Sequence, residues 1–206
     1  MSAIAAEPIS TGRLTLLPLR AEHADEMAAV LADPALYTFT GGSPPTRQEL
    51  RARYERQIAG SPDPAVSWCN WVIQLHGPEC LAGTVQATVS PGDKPVSTGD
   101  EPVAEIAWVV GTPWQGQGIA TEAARALIAW LAQQSVCTVV AHIHPRHEAS
   151  AAVAAAAGLT PTSQWQDSER RWRLRTTPYL ETHSRRGTPV SRGCGQPRCR
   201  DLDVVG

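Results

Sequence analysis

This 206-residue sequence has no apolar run long enough to cross a bilayer, and it does not open on a basic segment followed by an apolar core. Those two absences predict a cytoplasmic protein with no membrane partner. A basic surplus is also missing: 18 Lys and Arg stand against 20 Asp and Glu, for a formal charge of −2. A surface so balanced offers little to a phosphodiester backbone, so nucleic acid is excluded as the main partner. Cysteine is sparse, at five residues. Cys69, Cys80 and Cys137 fall in apolar, strand-like surroundings that predict buried thiols, and Cys194 and Cys199 sit in a polar tail at no metal-binding spacing. A reducing compartment fits that usage.

The common phosphate loops are missing too. No Gly-Lys-Ser or Gly-Lys-Thr opens a helix. A dinucleotide fingerprint would need a third glycine where Thr121 stands, and an acidic residue roughly 20 positions on, where the chain offers His142 and His144. A metal shell is not completed either. His142, His144 and His147 make an H-x-H-x-x-H run without a nearby Cys or Asp, which predicts sheet or coenzyme-adjacent histidines and no metal.

What is present is concentrated between Glu101 and Gln134. Val103 to Val110 reads as a buried strand, apolar except for Glu105. The turn Thr112-Pro113-Trp114-Gln115-Gly116-Gln117-Gly118-Ile119-Ala120 then feeds a helix with Ala123, Leu127, Trp130 and Leu131 at helical spacing. Glycines at a helix mouth let several N–H groups point at one centre, and the helix dipole strengthens that anion cradle.

Around this stretch the chain reads as alternating elements. Residues 1–12 form a loose arm, Leu14 to Leu19 a strand and Glu22 to Leu31 an amphipathic helix. Thr46-Arg47-Gln48-Glu49 is a capping box opening a helix to about Ile58, with Leu50, Tyr54 and Ile58 as its inward stripe. Strands near Cys69 to Leu75 and Cys80 to Val89 precede the central stretch. Val136 to His144 is a further strand, Glu148 to Ala157 an Ala-rich helix stopped by Gly158, and two strands follow around Asp167-Ser168. The order predicts an α/β (α+β) fold: a mixed, mostly antiparallel sheet of about seven strands with helices on both faces. One domain spans residues 13–180, and residues 183–206, rich in Gly, Pro, Arg and Ser, read as a disordered tail.

The turn Gln115-Gly116-Gln117-Gly118-Ile119-Ala120 resembles the Gln/Arg-x-x-Gly-x-Gly/Ala signature of the Gcn5-related N-acetyltransferase (GNAT) superfamily. The resemblance covers roughly residues 12 to 178. It includes Gly12-Arg13-Leu14, Ala104 to Val110, His144 to Ser150 and Ala157-Gly158-Leu159, and it is most like the RimJ/RimL branch of ribosomal-protein N-terminal acetyltransferases. It implies the acyl-CoA N-acyltransferase fold, acetyl-CoA as co-substrate and a primary amine as acceptor, on a monomer or homodimer. The amine is a protein or peptide N-terminus or a small molecule. A larger acyl group such as succinyl, or a coenzyme-binding regulator without catalysis, are the alternatives.

The resemblance also assigns residues. Backbone N–H groups from Gln115, Gly116, Gln117, Gly118, Ile119, Ala120 and Thr121 would hold the pyrophosphate. Trp108, Val109 and Val110 would pair with the pantetheine arm, and the N–H of Val109 would face the thioester oxygen. Glu105 is the expected base, four residues before Val109 on one strand face, with apolar surroundings that would raise its pKa. Its alternative is a structural pairing with a cation. Ala154 stands where many members carry a catalytic tyrosine, so Ser150 is the candidate for contact with the thioester sulfur, its alternative being a structural hydrogen bond. His147 replaces an asparagine that touches the pantetheine.

Aromatic residues carry the remaining expectations. Trp108 and Trp130 are expected in the core, and Trp68, Trp71 and Trp114 at the acceptor cleft. Tyr37 and Phe39 either line that cleft or cover the core. Arg170, Arg171, Arg173 and Arg175 are expected on a solvated strand edge.

Overall fold

The computed structural model describes residues 4–92 and 101–176, so the expected tail and its two cysteines lie outside the described residues. The strands are β1 (Ile9–Ser10), β2 (Leu14–Pro18), β3 (Ser67–Leu75), β4 (Leu81–Ser90), β5 (Val103–Val110), β6 (Thr138–Ile143), β7 (Thr160–Gln166) and β8 (Glu169–Arg175). The helices are α1 (Ala24–Val30), α2 (Arg47–Ala59), α3 (Ile119–Gln133) and α4 (Glu148–Ala156). One sheet runs β1-β2-β3-β4-β5-β6-β8-β7. Its neighbours are antiparallel except for β5 and β6, which the α3 crossover makes parallel.

Alternation along the strands separates two apolar layers. Cys69, Trp71 and Ile73 of β3 face Leu127 and Leu131 of α3, whereas Val72 faces Met27 of α1 and Leu50 and Tyr54 of α2. Burying Leu127 and Leu131 contributes about 1.5–3 kcal/mol each, and truncating either to Ala costs about 2–5 kcal/mol. Burial pushes the Cys69 thiol up to about 11, which keeps it inert, whereas Cys80 and Cys137 are only half-buried.

Local chemistry fixes the element ends. Thr46 Oγ1 accepts the Glu49 N–H and Glu49 Oε2 accepts the Thr46 N–H, the reciprocal cap expected for α2. The stripe of α2 ends at Tyr54, because Ile58 is exposed beyond the reach of the sheet.

Two further expectations are corrected. The arm is not loose from Ile4 onward: β1 pairs with β2, and the Glu7 backbone carbonyl accepts the Trp71 indole N–H at 2.7 Å. The arginine-rich strand β8 is not an edge, since it pairs with β6 on one side and β7 on the other. The hairpin at Asp167-Ser168 carries β7 outward to the rim, and Arg170 and Arg175 find acceptors on Thr162 and Glu101.

Candidate active site

The mouth of α3 is built from backbone. Gly116 and Gly118 have φ of 72° and 76°, a left-handed conformation that a side chain disfavours. Gln115 donates through Nε2 to the Val110 carbonyl and Gln117 through Nε2 to the Pro113 carbonyl. Both side chains are thereby folded back on the loop. The N–H groups of Ile119, Ala120 and Thr121, in the first turn of α3, have no intrahelical acceptor. An anion at this mouth meets backbone dipoles, since neither loop glutamine turns its side chain outward.

Behind the loop lies a clasp that the sequence reading missed. Glu122 Oε1 accepts Thr11 Oγ1 at 2.6 Å and the Arg13 N–H at 3.1 Å, while its Oε2 accepts Arg13 Nε at 2.6 Å. Arg13 Nη1 donates to the Gln117 carbonyl at 3.0 Å. Burial pushes the Glu122 carboxyl up, but the hydrogen bonds from Thr11 and Arg13 and the Arg13 charge outweigh it and hold the group below its usual range. Thr11, Arg13, Gly118, Thr121, Glu122, Arg125 and Ala126 line a depression of about 640 Å³ there. The signal was local: an acidic residue in the first turn of α3 and an arginine at the start of β2.

At the centre of the sheet, β5 and β6 part. Their register ends at Glu105↔Val140, leaving Ile106 to Val110 without a partner on that side. The phase of β5 follows from its pairing with β4. Gly111 donates its N–H to the directly opposed Ala82 carbonyl, so Val109, Ala107 and Glu105 turn their backbone groups toward β4. A Cβ on Gly83 would stand 2.2 Å from the Val109 carbonyl oxygen, which places that carbonyl on the same side. The expectation for the Val109 N–H is therefore corrected: the groups facing the split belong to Ile106, Trp108 and Val110.

Glu105 stands at the root of the split, its side chain 52% exposed. The apolar surroundings expected for it are absent. His142 Nδ1 lies 3.0 Å from Glu105 Oε1, and the imidazole is nearly enclosed at 10% exposure. The imidazole fixes one oxygen and leaves the outer one free to meet a proton donor. Val109 shares the side-chain face of Glu105 two pleats on and lines a groove of about 710 Å³. Asn70, Thr84 and Gln86 lie along its floor, α2 forms a wall with Glu49, Arg53 and Gln57, and the Thr40–Pro45 loop forms its rim.

A model of the acetyltransferase (GNAT) domain matches residues 13–160. The chain belongs to the GNAT acetyltransferase family. It is an acetyltransferase that uses acetyl-CoA as co-substrate. A comparison with curated proteins finds no match. Among solved structures the GNAT fold recurs in RimL, the ribosomal L7/L12 alpha-N-protein acetyltransferase, in complex with coenzyme A. That likeness has 17% identity, covers 82% of this chain and 98% of the other, and has a TM-score of 0.63. The ribosomal-protein-S5-alanine acetyltransferase from Vibrio fischeri shares 15% identity over 82% of this chain and 97% of the other, with a TM-score of 0.64. The microcin C7 self-immunity acetyltransferase MccE, in complex with acetyl-CoA and AMP, shares 16% over 80% and 93%, with a TM-score of 0.61.

The GNAT position that often holds a tyrosine is closed here, because Ala154 is fully buried. Ser150 lies half-buried in the first turn of α4, and its hydroxyl makes no hydrogen bond to a described residue. His147 turns its ring onto Phe39, with centroids 4.5 Å apart and planes at 23°. Phe39 also meets His144 at 5.2 Å, so the loop after α1 is drawn across the end of β6 by two imidazoles. Burial, and then His144, lower the His147 pKa against an upward pull from Glu169. The three histidines do not converge, and among the described residues no group of three His, Cys, Asp or Glu is placed to hold a metal.

Tyr37 lines the groove and Phe39 does not. Trp71 contributes to the groove lining, as expected, although its side chain is fully buried with the ring edge-on to Trp130 at 5.1 Å. Trp68 and Trp114 lie outside the groove, which corrects their expected place there. Trp130 is core, as expected, whereas Trp108 is only half-buried and packs against the edge of that core.

Proposed function

We propose that this GNAT enzyme transfers acetyl from acetyl-CoA to a primary amine, on a protein or peptide N-terminus or on a small molecule, by direct attack within a ternary complex. The observation that carries this reading is the split between β5 and β6, with Glu105 at its root and the α3 mouth at its far end. The mouth takes the pyrophosphate through Gln115 to Thr121, and the free edge of β5 takes the pantetheine through Trp108 and Val110. That route brings the thioester toward Glu105.

An acceptor amine is an ammonium near neutral pH and must lose a proton before it attacks. Glu105 takes that proton on its outer oxygen, while His142 holds the inner one. The amine nitrogen then bonds to the thioester carbon. The carbonyl electron pair moves onto oxygen, where the Trp108 N–H at the split stabilises it. When the C–S bond breaks, sulfur leaves with the electron pair and the Ser150 hydroxyl donates a proton to it, recovering one from solvent. His147, held on Phe39, borders this end of the coenzyme. The nitrogen sheds its remaining extra proton and the amide is complete.

The cytoplasm is the compartment we assign, supported by the free thiols of Cys69, Cys80 and Cys137. Among the described residues no helix is long and apolar enough to cross a membrane. The test is release of free CoA thiol from acetyl-CoA across an amine panel, with mass spectrometry of the product and a titration of acetyl-CoA against NADH. Amine-dependent thiol release with an acetylated product supports the reading. Acetyl-CoA binding with no release would reduce the protein to a coenzyme-binding regulator, and a succinylated product from succinyl-CoA in preference would change the donor.

A further inference from the structure

The sequence of α2 holds four arginines, and they divide by their partners. Arg47 lies 3.5 Å from Asp25 and Arg51 lies 3.4 Å from Glu55, both on exposed surface. Arg53 and Arg56 line the groove, and neither meets a carboxylate among the described residues. Glu49, one turn back, attracts Arg53 only at longer range, so the wall holds two cations without an ion-pair partner, an arrangement that solvent or an anionic ligand must compensate.

The rest of the wall has the same bias toward donors. The single carboxylate among the groove residues, Glu49, already accepts the N–H and the hydroxyl of Thr46. Tyr54 is 3% exposed and its hydroxyl has no hydrogen-bond partner, an unsatisfied donor beside Arg53. Burial pushes that phenol well up, so it keeps its proton. Tyr37 spends its own hydroxyl on the Leu31 carbonyl and does not relieve Tyr54. On the floor, Asn70 and Gln86 stand opposite one another in the β3–β4 register, two carboxamides able to donate into the same space.

We propose that the acceptor carries, besides the amine that is acylated, an anionic group, a carboxylate or a phosphate, bound in this groove by Arg53 and Arg56 with the Tyr54 hydroxyl as donor. The inference rests on the transferase reading and adds the substrate class. The groove floor leads to Glu105 along one face of β5, through Val109 and Ala107, so one molecule spans both sites. The shared chemistry is an amine with an acidic group a few bonds away. A small amino acid or amino phosphate provides it, and so does a chain N-terminus followed by acidic residues.

The test compares kcat/KM for matched pairs: glutamate against glutamine amide, phosphoethanolamine against ethanolamine, and a peptide beginning Ser-Glu-Asp against one beginning Ser-Gln-Asn. The expected result is a preference of about tenfold or more for the charged member of at least one pair, weakened by salt. Whether that pair is small or peptidic identifies the source. Arg53→Glu should remove most of the preference through KM, with acetyl-CoA affinity by titration unchanged. Tyr54→Phe, which keeps the core shape, should lower the preference about two- to fivefold. Equal rates for every pair, or a preference that survives Arg53→Glu in a folded variant, overturns the inference and leaves the transferase intact. No thiol release with any amine overturns both.

Discussion

The two halves of the site recognise their ligands by different means. The half we propose for the coenzyme consists of backbone: two left-handed glycines, the first turn of α3 and the free edge of β5, with both loop glutamines folded away. The half we propose for the acceptor consists of side chains from α2, β3, β4 and the Thr40–Pro45 loop, among them a Tyr54 hydroxyl without a hydrogen-bond partner. Backbone recognition suits a ligand that never changes, because its geometry is set by the fold. Side-chain recognition suits a ligand that differs between enzymes, because a substitution on α2 alters the wall without disturbing the sheet.

The strongest way to break this contrast is to attack the backbone half. Gly118→Asp should weaken acetyl-CoA binding by at least about 100-fold in a titration, since it combines a strained left-handed residue with a negative charge at the mouth. Retained affinity would mean that the mouth is not the anion site. Glu105→Gln should leave coenzyme affinity near wild type while lowering turnover by roughly ten- to ten-thousand-fold. An unchanged rate would remove Glu105 from the chemistry and leave it as a partner of His142.

Weaker effects sharpen the division. Arg13→Ala should loosen the mouth from behind, with coenzyme affinity about three- to tenfold lower and stability lower by about 1 kcal/mol, a modest value because Arg13 is largely exposed. Affinity unchanged alongside a lowered melting temperature would limit the clasp to folding. The smallest effect concerns His147, whose pKa is lowered in the fold, so the neutral ring is the form that packs on Phe39. Its contribution is complete above the ordinary value of 6.5 and is lost as pH falls below it. Denaturant midpoints followed from pH 7.5 to 5 should therefore decline slightly more steeply in wild type than in His147→Asn. Parallel declines would place the pH response elsewhere.

How much of this was legible in the sequence tracks the same division. The glycines at 116 and 118, the Thr46–Glu49 cap and the strand–helix–strand order are local signals, and the fold places them as expected. Long-range pairing was not legible. Alternation places Glu105 and Val109 on one side-chain face, but which edge the Val109 N–H meets depends on the phase set by Gly111 and Ala82, nearly thirty residues apart in the chain. Glu105 looked buried because its sequence neighbours are apolar, yet its side chain projects from the sheet face half exposed, with His142 against one oxygen. That Arg53 and Arg56 form no close ion pair could not be read either, because the Glu49 carboxylate one turn back is drawn to Thr46 instead.

The parting of β5 and β6 also has a meaning for folding. Three register pairs join the two strands, so β6, α4, β7 and β8 are tied to the remainder mainly by the packing of α3 and by those few backbone bonds. A coenzyme that hydrogen-bonds along the open edge becomes, in effect, a detachable strand that completes an otherwise interrupted sheet. Its free energy of binding then adds to the cohesion between the two parts of the chain, by mass action, whenever acetyl-CoA exceeds its dissociation constant. On the proposed binding mode, the ligand that supplies the acetyl group would also act as a structural member, leaving the protein most cohesive when it is charged and ready to react.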